Sequence, residues 1–307
     1  MAEPQDIPLP EHATAVDPDL GLLFENFAGL ALRIRKELPI RRDPAETRNV
    51  YGEQQLELDL WINDLLVDAL RDSNLVSLVA SEEMGEVTNV GHGRFSVVID
   101  PLDGSSNVAS NNIFGTIFGI YDGAPLPARG SEMLAAGYLI YGPATTFLYA
   151  ARGRVHEFVQ GGGARSDEFF LVKEDLRLPA KPKLYGVGGH RDKWVPAVKA
   201  FVGELERELM NLRYGGSFVG DFNQILHYGG FFAYPAQVDK PGGKYRLQFE
   251  SNPIAFIAEA AGGAGTTGAE RILDVEPTSL DQTVPTYVGN RELIDRFHAT
   301  AGAASKS

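Results

Sequence analysis

An apolar run, Phe95–Ile99, leads into Asp100-Pro-Leu-Asp-Gly-Ser-Ser-Asn107. Such a run reads as a buried strand. Proline is expected to stop it, and Asp103-Gly-Ser-Ser to turn the chain. Two carboxylates are then delivered to one strand end. Repulsion between clustered carboxylates is costly unless a metal compensates it, so a cluster there implies bound cations. Gly104, Ser105 and Ser106 offer backbone N–H groups and hydroxyls suited to phosphate oxygens. Carboxylates suit a hard cation such as Mg²⁺, which keeps positions open for water and phosphate. A plain Asp/Gly/Ser turn has the same composition, so the rest of the chain has to decide.

Acids recur in the same setting. Ser81-Glu82-Glu83 closes an apolar run, Leu75–Ala80, and Glu250 closes another, Tyr245–Phe249. Carboxylates at strand ends can converge on one crevice of an α/β fold. Taken singly, each reads more simply as a solvated acid.

Around these points, helical spacing and strand-like runs alternate. The first ~16 residues hold several prolines and no period, so they read as a loose arm. From Asp17, a candidate N-cap, Leu20, Leu23, Phe24, Phe27, Leu30, Ala31 and Ile34 follow helical spacing. A second helix fits Leu58, Trp61, Ile62, Leu65, Leu66 and Ala69. Further strands are expected at Gly115–Tyr121, Leu134–Tyr141, Phe147–Ala150 and Leu184–Val187, and helices at Trp194–Arg207, Gly220–Leu226 and Ile254–Ala261. The pattern is α/β, with α+β mixing, and suggests layers. The expected division is a flexible arm (1–16), an N-terminal metal and catalytic subdomain (17–178) and a C-terminal sugar-phosphate subdomain (179–307), the two sharing one cleft.

Composition narrows the functions. The 307 residues include no cysteine, which excludes disulfides, thiolate metal sites and a thiol nucleophile. The net charge of −13 disfavours nonspecific nucleic-acid binding, although a bound metal can still draw an anion into a cleft. The acidic start lacks a signal peptide's basic and apolar regions, and no apolar run is long enough to span a bilayer. A cytoplasmic protein with no membrane or nucleic-acid partner is expected.

DPLDGSSN followed by GTIFGIY and GYLIYGPAT resembles class I fructose-1,6-bisphosphatase. NVYGEQ, SEE, RYGGS, YGGFFAYP, GGKYRLQFESNPIAFIAEAAGG and VPTYVGN follow in that family's order, from about Asn49 to near the C-terminus. The resemblance implies a layered sugar-phosphatase fold of alternating helix and sheet layers. It implies hydrolysis of fructose 1,6-bisphosphate with Mg²⁺ as cofactor, for which Mn²⁺ can substitute. Glu82, Glu83, Asp100, Asp103 and Glu250 match the family's metal ligands, with the Leu102 carbonyl as a further donor. Asp59, with Glu83, matches a proton-accepting pair. Glu53 takes the place of the usual aspartate of a catalytic loop. On the substrate side, Asp103, Gly104, Ser105 and Ser106 join Arg213, Tyr214, Tyr234, Lys244 and Arg246. The family arginine at position 213 enters a neighbouring subunit's site, which implies a homo-oligomer, dimer or tetramer.

Three further positions depart from the family. Gly188 and Arg191 stand where asparagine and tyrosine hold the far phosphate, and Arg191 is expected to replace them. Phe218 replaces a methionine near the sugar and is expected to narrow or reshape the pocket. Sedoheptulose 1,7-bisphosphate is the alternative substrate. A non-catalytic sugar-phosphate sensor is the alternative of a different class, disfavoured because all five acids are present. The inositol-monophosphatase class also has an acid-rich signature, but it lacks the RYGG, YP and Lys244–Arg246 set.

Overall fold

The computed structural model describes residues 6–38, 44–48 and 54–304. Within the stretch expected as a loose arm, α1 spans Leu9–Val16 and buries Leu9 and Ala13 completely. Its prolines begin the helix instead of breaking it, because a first-turn N–H needs no partner. Asp17 then caps α2 (Pro18–Glu37), accepting the N–H groups of Asp19 at 3.0 Å and Leu20 at 3.3 Å. The backbone hairpin β1 (Pro44–Arg48) and β2 (Gln54–Leu56) leads to α3 (Glu57–Asp72).

The first sheet holds β3 (Val76–Ser81), β4 (Thr88–Asn89), β5 (Phe95–Asp103), β6 (Gly115–Asp122), β7 (Met133–Tyr141), β8 (Thr145–Ala151), β9 (Arg154–Gln160) and β10 (Phe169–Lys173). Its order is β10-β9-β8-β7-β6-β5-β3-β4. Only β3 and β5 run parallel, so their C-terminal ends lie side by side. Both faces are covered. Phe118 and Phe147 meet Phe24 and Phe27 of α2, while Ile117, Tyr138 and Leu148 face the opposite way. Burial on both faces explains the continuous apolar runs. Pro101 does not stop β5, contrary to expectation. The strand continues to Asp103 with an irregular register after Asp100, beyond the last residue paired to β3. Proline is tolerated at such an irregularity.

The second sheet contains β11 (Leu184–Val187), β12 (Asn211–Leu212), β13 (Gly230–Tyr234), β15 (Gly263–Thr266) and β17 (Thr286–Asn290), in the order β12-β11-β13-β17-β15. Between the sheets lie α5 (Phe218–Tyr228) and α6 (Asn252–Ala260), whose Phe222, Ile254 and Ile257 share one core with Leu148, Phe232 and Val288. The outer face of the second sheet packs on α4 (Pro196–Arg207) and α7 (Arg291–Ala304) through Phe201, Phe231 and Phe297. The layers therefore run helix, sheet, helix, sheet, helix, as expected for the fold.

The strand expected over Tyr245–Phe249 is only β14 (Tyr245–Arg246), paired with β16 (Thr283–Val284). A wide five-residue turn, Leu247–Ser251, then runs straight into α6. Gln248 inside it exchanges bonds with the Ala128 backbone, accepting at 3.1 Å and donating at 2.8 Å. Such π-type turns concentrate at functional sites, and this one carries Glu250.

Candidate active site

A cleft of about 280 Å³ opens at the ends of β3 and β5. The parallel pair builds its acidic wall. Glu82 and Glu83 follow β3, while Asp100, Leu102 and Asp103 lie at the end of β5. Asp59, in the first turn of α3, and Glu250, in the turn before α6, complete it. One oxygen each of Asp100, Asp103 and Glu250 lies within 4.8 Å of the others, and all three residues are buried.

The three acids differ in their support. Asp103 accepts from Phe218 N at 3.1 Å, Val219 N at 2.8 Å and Ser217 Oγ at 2.9 Å. It therefore sits on the N-terminus of α5, where helix N–H groups and the dipole favour a negative charge. Burial raises its pKa, and these bonds and Lys244 pull it back down. Asp100 accepts, among the described residues, one backbone bond, from Leu102 N at 3.0 Å. Burial and then Glu82, Asp103 and Glu250 hold its carboxyl well above the usual range. Glu250 accepts Arg246 N at 2.6 Å and is likewise pushed up, by burial first and Glu82 next.

Arg246 pairs with Glu82 and is itself buried. Lys244 also lines the cleft, its Nζ 5.3 Å from the Tyr234 ring centre. These two cations face six acids. The excess of desolvated, oxygen-only donors fits hard divalent cations.

Directly after Asp103, Gly104 takes a left-handed conformation with φ of +79° and starts the Ser105–Asn107 turn that borders the cleft. Only glycine fits there: a Cβ would lie 2.5 Å from the Cβ of Ser217. The metal-type turn and the start of α5 are thus pressed together.

The other expected residues stand apart from the cleft lining. Tyr214 and Tyr234 lie together over the end of β11, since a Cβ on Gly188 would be 2.4 Å from the Tyr234 ring and 2.9 Å from the Tyr214 hydroxyl. Arg213 is exposed, and its Nη1 donates to the Leu212 carbonyl at 2.9 Å. Arg191 does not take the expected place of the missing far-phosphate donors. Its guanidinium pairs with Glu206 at 2.9 and 3.3 Å, on the α4 side of the second sheet. Phe218 does not narrow the pocket either. It is fully buried behind the wall, stacked on Tyr245 with centroids 4.3 Å apart. Glu53 lies outside the described residues.

Sequence reading missed Ser217, Gly216 and Asp221. The helix was expected to start at Gly220, which hid the N–H groups that Asp103 receives. Serine ahead of an apolar helical run was the available signal.

Known proteins match the chain on both sides of the cleft. The family model for the N-terminal domain of fructose-1,6-bisphosphatase matches residues 41–174, and that for its C-terminal domain matches residues 178–302. The class 1 fructose-1,6-bisphosphatase of Halobacterium salinarum is 46% identical over 90% of this chain and 95% of its own length. That of Trichlorobacter lovleyi is 44% identical over 81% of this chain and 79% of its own. The holo crystal structure of Leishmania major fructose-1,6-bisphosphatase superposes with a TM-score of 0.90 at 29% identity, over 98% of this chain and 99% of that one. With two domain models in order, a shared layered fold and these relatives, the chain belongs to the fructose-1,6-bisphosphatase family.

Proposed function

We propose that this protein hydrolyses fructose 1,6-bisphosphate to fructose 6-phosphate and phosphate, with Mg²⁺ as cofactor and Mn²⁺ as a substitute. The observation that carries this reading is the Asp100–Asp103–Glu250 cluster beside the Gly104 turn in one cleft. Glu82, Glu83 and the Leu102 carbonyl extend the ligand set, and Glu53 contributes from the catalytic loop. When bound, divalent ions supply Lewis acidity at the phosphate and raise the acidity of water. Glu83 and Asp59 take the proton of the attacking water. Asp103, Gly104, Ser105 and Ser106 hold and orient the reacting phosphate. Lys244 and Arg246 bind the sugar and its charge, while Tyr214, Tyr234 and Arg213 receive the far phosphate.

The acids come from the 17–178 subdomain and Glu250, and the donors to the far phosphate from 179–307. Arg213 serves a neighbouring copy. It follows β12, which pairs on one side only, beside exposed Leu212 and Leu209. An exposed strand edge of this kind favours pairing with another chain. Among the described residues no helix is long and apolar enough to cross a membrane, in keeping with a cytoplasmic role.

Sedoheptulose 1,7-bisphosphate is the second reading. It is favoured by the engagement of Arg191 by Glu206, which withdraws that cation from the far end of the site. Phosphate release from both bisphosphates, with Mg²⁺ and with chelator, tests the proposal. Faster turnover of the seven-carbon substrate would reverse the preference, and no release from either would reject the activity.

A further inference from the structure

Asp221 has no part in the chemistry above, yet its carboxylate is sealed inside the protein. It lies in the first turn of α5, but it does not cap the helix. Ser217 does so, accepting from Gly220 N at 3.1 Å. Asp221 turns both oxygens back to the chain that precedes the helix. Oδ1 accepts the Gly215 N–H at 2.6 Å, and Oδ2 accepts the Gly216 N–H at 3.1 Å. Successive N–H groups turned to one side make an anion-binding concavity, and here a side chain of the same protein fills it.

The opposite edge of that turn is held too. The Gly215 carbonyl accepts Asn107 Nδ2 at 2.9 Å, and Asn107 is anchored by a second bond to the Ile113 carbonyl at 2.7 Å. Asn107 ends the segment that begins at Asp103 and the Gly104 turn. Burying a carboxylate near Asp103 is unfavourable on its own account, so a neutral side chain would fill the space at lower cost. What the carboxylate uniquely does is gather two backbone N–H groups at once.

The turn so held follows directly on Arg213 and Tyr214, and Gly216 borders the cleft. The geometry points to Asp221 as a positioning residue: with Asn107 it clamps the Gly215–Gly216 turn to the acid-bearing segment and sets where Tyr214 and Arg213 meet the far phosphate. The inference rests on the reading that those two residues face that phosphate.

Asp221→Asn keeps the shape but sets an NH₂ group against one of the two N–H donors. Its steady-state kinetics with fructose 1,6-bisphosphate are compared with product inhibition by fructose 6-phosphate, which carries the far phosphate, and by inorganic phosphate, which does not. KM and the inhibition constant for fructose 6-phosphate should rise about tenfold, while kcat stays within about threefold. The inhibition constant for inorganic phosphate and the half-saturating Mg²⁺ concentration should not move. Unchanged KM, or equal weakening of both products, overturns the clamp. Should this variant fail to fold, Asn107→Ser releases the Gly215 carbonyl, together with that of Ile113, and leaves Asp221 in place; it is held to the same outcomes. Absence of bisphosphate turnover in the unaltered protein would instead refute the functional reading, a result separable from the variants' effects.

Discussion

Asp100, Asp103 and Glu250 are buried and held in place before any ligand arrives, whereas Arg213, Tyr214 and Lys244 on the second-sheet side are exposed. The contrast has a physical source. Carboxylates at the ends of β3 and β5 are placed by backbone pairing, and burial leaves them little freedom. The cations extend from a strand edge and from the chain before β14 on long side chains that water solvates well. One side therefore stores electrostatic strain that a cation would relieve, and the other is left for an anion to order.

Within the acidic side, Asp100 and Asp103 offer the sharpest way to break this contrast. Replacing either by Asn should lower turnover about a hundred- to a thousandfold, the scale of a lost transition-state electrostatic contact. Their stabilities should move in opposite directions when divalent ions are absent. Asp103→Asn disturbs three bonds at the start of α5 and should lower Tm. Asp100→Asn removes a charge repelled by Glu82, Asp103 and Glu250 and should raise it. Thermal melts in chelator decide this, and a parallel fall in both variants would mean that Asp100 is not strained.

The acidic side was also the more legible one in sequence. Asp100 and Asp103 follow an uninterrupted apolar run, and a strand end is a local event that a short string encodes. Glu250 was found at the right place for the wrong reason: the segment before it is a turn, because β14 has only β16 to pair with. The π-type turn depends on Gln248 reaching Ala128, a contact 120 residues away in the chain that no local pattern reveals. Arg191 shows the same limit. A cation in the right motif suits a phosphate, but Glu206 on α4 engages it, and that pairing exists only once the helix packs beside β11. The layered fold was readable from alternating periods. The strand Gly263–Thr266 was not, since Gly-Ala-Gly-Thr has no apolar alternation to display.

On the cationic side, the comparison becomes a ranking. Lys244 lines the cleft, so Lys244→Ala should raise KM for the bisphosphate by about tenfold or more, given ~1.5–3 kcal/mol for a charged hydrogen bond. Arg191→Ala should change it by less than about threefold, since an exposed ion pair is worth little and its guanidinium points to Glu206. Steady-state kinetics under saturating Mg²⁺ provide the check, and a larger effect at Arg191 would show that it leaves Glu206 when substrate binds.

A smaller effect follows from pH. The carboxyls of Asp100 and Glu250 titrate above their unfolded values. Their folded forms bind protons more readily, so the metal-free protein is most stable, with respect to these groups, below the unfolded pKa. That contribution is lost as pH rises through the folded pKa. Bound Mg²⁺ replaces those protons. Its stabilisation should therefore be larger at about pH 8 than at about pH 5.5, with ~2–4 °C in Tm for each kcal/mol gained. Equal shifts at both pH values would place Mg²⁺ away from these acids.

The central claim is that the acid cluster and the Gly104 turn act together on one phosphate of a sugar bisphosphate. Phosphate released from fructose 1,6-bisphosphate by the purified protein, followed as Mg²⁺ is added to a chelated sample, tests it most directly. Release should be absent in chelator, appear with Mg²⁺ and leave fructose 6-phosphate as the only sugar product. Turnover that is indifferent to Mg²⁺ and Mn²⁺, or no turnover at any concentration of either, would contradict it.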